Sequence, residues 1–179
     1  MNTEYEIRKV KQGDEAVLAY IQTESWKAAF KTILPEDVLT RCTNYDKAKQ
    51  MYQRLLEEKK GNGYLLEING KGHCIAWWDA AREENMPDYA EIICIHSLQE
   101  NWRRGFGSRM MDRLLEDIAN AGYGNTMLWV FEENERARKF YEAKGFRKSE
   151  KSKTSLNTLE VMYVRDNRML CTVRENAER

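Results

Sequence analysis

Two short segments hold residue types that could do chemistry at the spacing they show. The first is Trp102-Arg103-Arg104-Gly105-Phe106-Gly107-Ser108, which joins an apolar, strand-like run to the start of an amphipathic helix. Glycine has no Cβ, so Gly105 and Gly107 let the backbone come close to an anion. The first-turn amides of a helix lack partners within it and its dipole favours negative charge there, which makes the segment a ready seat for a pyrophosphate. A glycine turn can also serve geometry alone. The second segment, Asn134 to Phe146, spaces Asn134, Ala137 and Tyr141 by three and four residues, on one face of a helix. That face can line a ligand. Equally, Asn134 can cap the helix and Tyr141, following Phe140, can pack in the core.

The flanking sequence alternates between strand-like and helix-like stretches. Tyr5–Val10 reads as a strand; Gly13-Asp14 offers an N-cap for a helix with Val17, Leu18 and Ile21 on one face, running past Trp26 toward Phe30. Pro35 opens a short helix through Leu39, and 45–58 suits another, with Ala48, Met51, Tyr52 and Leu55 at helical spacing. Gly63–Ile68 and His73–Ala80 are apolar runs separated by Asn69-Gly70-Lys71-Gly72, a hairpin. Tyr89–Leu98 is a long strand, and Gly105–Ala121 a helix with Met111, Leu114, Leu115 and Ile118 inward, ended by Gly122. Thr126–Phe131 is a buried strand, Asn134–Lys144 a helix, and Phe146–Lys148 with Leu156–Val164 the last strands, so the basic run Arg147–Lys153 is expected as an exposed turn. The strand-helix-strand-helix-strand order of the second half implies a mixed sheet with a parallel pair at its heart.

At 179 residues the chain suits one domain with a substantial core. Its 29 basic and 29 acidic residues cancel, which argues against a global attraction to nucleic acid or membrane and makes any basic patch local. No apolar run approaches the roughly 18 residues of a membrane span and no apolar signal region opens the chain, so a cytoplasmic protein is expected. Cys42, Cys74, Cys94 and Cys171 lack CxxC spacing and only His73 and His96 accompany them, which disfavours a structural zinc and suits reduced thiols.

Together the two segments resemble the signature motifs of the GNAT superfamily, the acyl-CoA-dependent N-acetyltransferases. The resemblance spans most of the chain and is strongest from about residue 90 to 147. Gly105 and Gly107 match the first motif, with Trp102 where Gln or Arg is usual; the second motif, Asn-x-x-Ala-x-x-Phe-Tyr-x-x-x-Gly-Phe, is matched at every specified position from Asn134 to Phe146. The resemblance implies an α/β (α+β) fold: a mixed, mostly antiparallel twisted sheet of six to seven strands, helices on both faces, and a splayed central parallel strand pair. It implies a single N-acetyltransferase domain over 3–166 followed by a C-terminal tail, 167–179. The implied activity is transfer of an acetyl group from acetyl-CoA, as co-substrate and with no metal, to a primary amine by direct attack in a ternary complex.

Such a transfer sets three demands. A primary amine, with a reference pKa of about 10.4, is mostly protonated near neutrality and needs a base. The developing oxyanion needs a donor, and the leaving sulfur an acid. By resemblance, Tyr141 is the acid beside the sulfur, and Asn134 and its helix face lie along the pantetheine. Glu91, near the start of its strand, is the base by analogy with the histone-acetylating branch; a solvated edge glutamate is the alternative. His96, with a reference pKa near 6.5, is the second choice and alternates to the opposite strand face. Backbone at Ser97 or Leu98 supplies the oxyanion donor, and Arg103, Arg104, Gly105, Phe106, Gly107 and Ser108 form the phosphate end of the cofactor site, with Arg109, Arg136, Arg138 and Lys139 as further nearby charge.

Trp26, Phe30 and Trp77 lie on elements that wall the acceptor site in this superfamily, where they can hold an amine by cation–π contact or fill the core. Adjacent Trp77 and Trp78 face opposite ways, so at least one is expected in the core. Asp79 or the Glu83-Glu84 loop can attract a cationic amine. A small-molecule amine is the expected acceptor, with a peptide or protein amine as alternative, a non-catalytic acyl-CoA-binding regulatory module as the reading from another class, and homodimerisation open.

Overall fold

A computed structural model describes residues 4–168. Their strands are β1 (Tyr5–Lys9), β2 (Asn62–Ile68), β3 (Lys71–Ala80), β4 (Tyr89–Ser97), β5 (Asn125–Phe131), β6 (Arg147–Ser155) and β7 (Thr158–Asp166). They form a seven-stranded sheet in the order β1-β2-β3-β4-β5-β7-β6. The helices among them are α1 (Glu15–Phe30), α2 (Glu36–Cys42), α3 (Tyr45–Glu57), α4 (Phe106–Asn120) and α5 (Glu135–Ala143). The sheet is mostly antiparallel; β4 and β5 are the parallel pair, joined by α4 as a parallel connection demands. Their ladder covers four residue pairs, Tyr89↔Asn125 to Ile92↔Leu128, and stops there although both strands continue.

The chain divides into two compact units, and β4 and α4 each contribute to both. The first holds the described residues through Trp78 together with Cys94–Met111. In it, α1 and α3 pack on one face of the sheet through Leu18, Ile21, Ala48, Tyr52, Leu65, Ile75 and Trp77. A side chain at Gly72 would run into Val17 and Ile21, so this glycine permits α1's close approach. Thr23 and Ser25 are buried in α1 because their hydroxyls donate back to the Ala19 and Gln22 carbonyls, each at 2.9 Å. On the sheet's other face Phe106, opening α4, packs edge-on against Tyr5 and His73. Strand alternation separates the two side chains: Tyr5 and Arg8 differ in parity, and Arg8 turns instead to Asp14 and Glu67.

The second unit holds Asp79–Ile93 and the described residues from Asp112 onward. Here α5 covers the face that carries Tyr163, whose hydroxyl donates to Glu142 at 2.8 Å and accepts from Arg138 at 3.1 Å. The strand registers place Glu91, Met127, Trp129, Lys153 and Glu160 together on the opposite face.

Three local expectations are corrected. The basic run 147–153 is not a turn: it lies in β6, the sheet's exposed edge strand, whose polar sequence hides it from any hydrophobic alternation. Lysines on an edge also discourage pairing with other chains. The turn sits later, at Leu156-Asn157, both at positive φ as a two-residue hairpin requires. Likewise Asn69-Gly70 alone closes β2 to β3, with Lys71 and Gly72 already in the strand. Asp14 does occupy the N-cap of α1, but its side chain caps nothing, being held by Arg8 and the Lys11 amide. Cys42, Cys74 and Cys94 are free thiols, whereas Cys171 and most of the expected tail fall outside the described residues.

Candidate active site

The glycine segment is built where β4 ends. One 3-10 turn, Gln99–Asn101, reverses the chain, and Trp102 pins it by donating its indole N–H to the Ser97 carbonyl at 2.9 Å. Arg103 and Gly105 take φ of 62° and 85° before α4 begins. A methyl built on Gly105 meets nothing within 4 Å, so the approach to the first amides of α4 is open. Phe106 anchors this end by its burial, while Arg103, Arg104 and Gly105 are exposed and Gly107 and Ser108 half-buried in the first turn. Arg104 donates to the Asn101 side chain at 2.6 Å, and Arg109 reaches the Tyr5 hydroxyl at 2.8 Å. The Leu98 amide donates to the His73 carbonyl at 3.0 Å, so it is already engaged in the sheet. Strand alternation turns the Ser97 amide to the other edge of β4.

In the second unit, Asn134 caps α5, its Oδ1 accepting from the Ala137 amide at 3.2 Å. Such a cap is worth about 1 kcal/mol. Tyr141, two turns on, is 9% exposed and packs against Phe140 and Phe146 at centroid distances of 5.5 and 6.0 Å. Both plain expectations for these residues are therefore met. Arg138 is held by the Glu132 carbonyl and Tyr163, and Lys139 pairs with Glu135.

Glu91 is not a solvated edge residue: it is 3% exposed. Arg82 donates to its carboxylate from Nε at 3.0 Å, from Nη2 at 2.6 Å and from the backbone amide at 3.2 Å. Burial pushes the carboxyl up, but these bonds and the arginine's charge outweigh it, and the net shift is below the usual range. His96 meets the reverse condition. Its Nε2 accepts from the Trp26 indole N–H at 3.3 Å, and burial pulls its pKa down to about 4. The ring is thus neutral near pH 7, with the proton on Nδ1.

The two predicted aromatics of α1 come together around it: Trp26 stacks edge-on with Phe30 at 5.0 Å and with His96 at 6.2 Å. Trp77 goes elsewhere, into the core against Tyr52, with its N–H on the Lys60 carbonyl at 3.1 Å. Trp78 is buried as well, on the opposite face, near Tyr64.

Sequence reading missed Arg82. The β3–β4 connection bends so that the Ala81 amide meets the Tyr89 carbonyl at 2.9 Å, which brings residue 82 back over residue 91. A hairpin register across 80–89 was the signal that could have found it. Missed too was the cluster on Glu91's sheet face: Lys153 lies over the Trp129 ring at 4.1 Å and 3.9 Å from Glu160, and the Trp129 N–H donates to Glu83 at 3.2 Å.

A family model described as the acetyltransferase (GNAT) family matches residues 24–146. The uncharacterized N-acetyltransferase YuaI of Bacillus subtilis is 25% identical over 128 residues, 72% of either chain. Among solved structures, the paiA N-acetyltransferase of Thermoplasma acidophilum in complex with coenzyme A superposes with a TM-score of 0.77 at 16% identity, covering 91% of this chain and 99% of that one. The ribosomal-protein-S18-alanine N-acetyltransferase of Escherichia coli gives 0.66 at 16% identity over 91% and 94%. These two share the fold. None of the helices among the described residues is long and apolar enough to cross a membrane.

Proposed function

The chain belongs to the acetyltransferase (GNAT) family, and from that premise we propose that it moves an acetyl group from acetyl-CoA to the primary amine of a small molecule, by direct attack in a ternary complex. The observation that carries this reading is the unobstructed glycine-rich start of α4, where Gly105 leaves the first amides accessible to a pyrophosphate. Residues 105–108, with Arg103 and Arg104, would hold that end; Asn134 and Tyr141 would line the pantetheine from α5. Acetyl-CoA supplies an activated thioester. The β4–β5 ladder that stops at Ile92 suits such an arm, since backbone groups beyond it can meet a ligand amide.

In this reading Glu91 accepts a proton from the acceptor's ammonium, directly or through water, which leaves a lone pair free to attack. The Ser97 amide, turned away from β3, donates to the oxyanion; the Leu98 amide does not, being held by His73. As the N–C bond forms and the C–S bond breaks, the Tyr141 hydroxyl protonates the sulfur, and the further proton that the nitrogen sheds on becoming an amide restores the hydroxyl through solvent. The two units would act as one N-acetyltransferase domain over 3–166, with 167–179 as a tail. Trp26 and Phe30 would wall the acceptor, and Trp77 would support that wall from the core.

Acetyl-CoA-dependent thiol release across amines, polyamines, amino acids and peptides tests this. One acceptor class should turn over, and Tyr141→Phe should lower kcat by about a hundredfold with acetyl-CoA affinity kept. Acetyl-CoA binding without release on any acceptor would favour a regulatory acyl-CoA-binding module instead.

A further inference from the structure

The contact between Arg82 and Glu91 is lopsided. The carboxylate is buried at 3% side-chain exposure, whereas the arginine that closes over it is 67% exposed and sits in the β3–β4 connection. An anion inside the protein is thus neutralised by a cation that remains largely in water. The surroundings need a cation at that place, but not this one in particular. Among the described residues, Asp79, Glu83 and Glu160 join Glu91 around Arg82, with Lys153 as a second cation that is engaged with Glu160 and the Trp129 ring. Four carboxylates to two cations leave the patch with an excess of negative charge, and burial, helped by the Glu91 charge and opposed by Lys153, holds Glu160 above the usual carboxylate range.

We propose that Arg82 occupies, from the protein's own chain, the place the acceptor's ammonium takes, so that the acceptor binds by exchanging one cation for another on Glu91. This rests on the reading of Glu91 as base given above. An ammonium brings three donors on a compact charge and can satisfy the same oxygens, while the guanidinium, already mostly hydrated, swings back to water. No buried charge is left alone at any stage, which is what makes the exchange accessible. It selects amines without a nearby carboxylate, since a second negative group would meet Asp79, Glu83 and Glu160. It also makes the base stronger when it is needed. With Arg82 in place Glu91 is a weak base; once the guanidinium leaves, burial favours the protonated carboxyl and the proton passes from R–NH3⁺ to Glu91, giving R–NH2 and a neutral acid. Arg82 is then a positioning residue that sets acceptor specificity.

The test uses the full chain with Arg82→Gln, read by initial rates and by thermal shift with methylguanidinium chloride as probe. For a simple alkyl amine KM should fall about tenfold, and the acid limb of kcat/KM should move to higher pH. Methylguanidinium should raise the variant's Tm and inhibit it competitively against the amine, and should do both about tenfold more weakly in the wild type. Arg82→Lys, which keeps the charge but loses the fork, should lie between the two and serves if the glutamine variant does not fold. A rise in KM for simple amines, or loss of a preference for amino acids that carry a carboxylate, would overturn the proposal by making Arg82 an anchor for substrate. So would the absence of any methylguanidinium shift. If no acceptor turns over in any form, the transferase reading fails, and the methylguanidinium shift still decides the cation exchange by itself.

Discussion

Strand β4 carries both candidate bases, five residues apart, and treats them in opposite ways. Glu91 is taken out of water and stays charged; His96, half-buried, is neutral. Burial acts in the same sense on both, against the charged form, so it cannot explain the difference. The neighbours do. Glu91 has a guanidinium in bidentate contact, worth more than its desolvation, and His96 has an indole N–H, which needs a lone pair and so rewards the neutral ring. A residue's reference pKa made His96 the better-matched base on paper; its partner removes it from that role, because a ring titrating at about 4 whose Nε2 lone pair is engaged holds no spare basicity near pH 7.

The contrast is broken most directly by kinetics. Glu91→Gln should lower kcat/KM about a thousandfold, or ~4 kcal/mol, whereas His96→Gln, which keeps an acceptor for Trp26, should cost less than about threefold. Comparable losses from both would abolish the distinction. Acid unfolding comes next. The folded-state pKa of His96 lies below its unfolded value, so the unfolded chain binds a proton first as pH falls from about 6.5 toward 4, and His96 should account for about 3 kcal/mol of lost stability over that window. Denaturant titrations at pH 7 and pH 4.5 should show a visibly shallower loss in His96→Gln.

Glu91 runs the other way. Its depressed pKa stabilises the fold above the unfolded value near 4.3, and that contribution disappears as pH drops through the lower folded one. Arg82→Gln should cost about 2 kcal/mol at pH 7.5 and reverse the sign of Glu91's contribution to the slope, since burial alone raises the carboxyl and then favours low pH. An unchanged slope measured by urea unfolding at pH 5 and pH 7.5 would mean that Arg82 does not hold Glu91 in solution. The smallest effect belongs to a position with no charge in play. Gly105→Ala should lose about 1 kcal/mol from its left-handed φ, as no atom obstructs the methyl, and should weaken acetyl-CoA binding about fivefold by narrowing the approach to α4. Calorimetric titration reads both the affinity and any larger, unexpected loss.

Strands and helices with an apolar period were legible. Val17, Leu18 and Ile21 marked α1, Met111, Leu114 and Ile118 marked α4, and the parallel pair followed from the order of elements. β6 was not, because Arg147–Ser155 has no apolar alternation and owes its extended form to pairing with β7. A bulge adds to this: three residues, 149–151, stand opposite Met162 alone.

The sequence by itself determined which groups are present and which of them share a face of one local element: Asn134 with Tyr141 along α5, Gly105 with Gly107 at the head of α4, and the motif pattern that placed the chain in its family. Local periodicity suffices there because a helix fixes its own geometry within a turn. Only the tertiary structure decided what each titratable group becomes. That Arg82 folds over Glu91, that Trp26 meets His96 across 70 positions of chain, and that Lys153 lies on Trp129 are all contacts between distant segments. Charge state depends on those contacts through desolvation and partner charge, and neither is written in any one residue or its near neighbours.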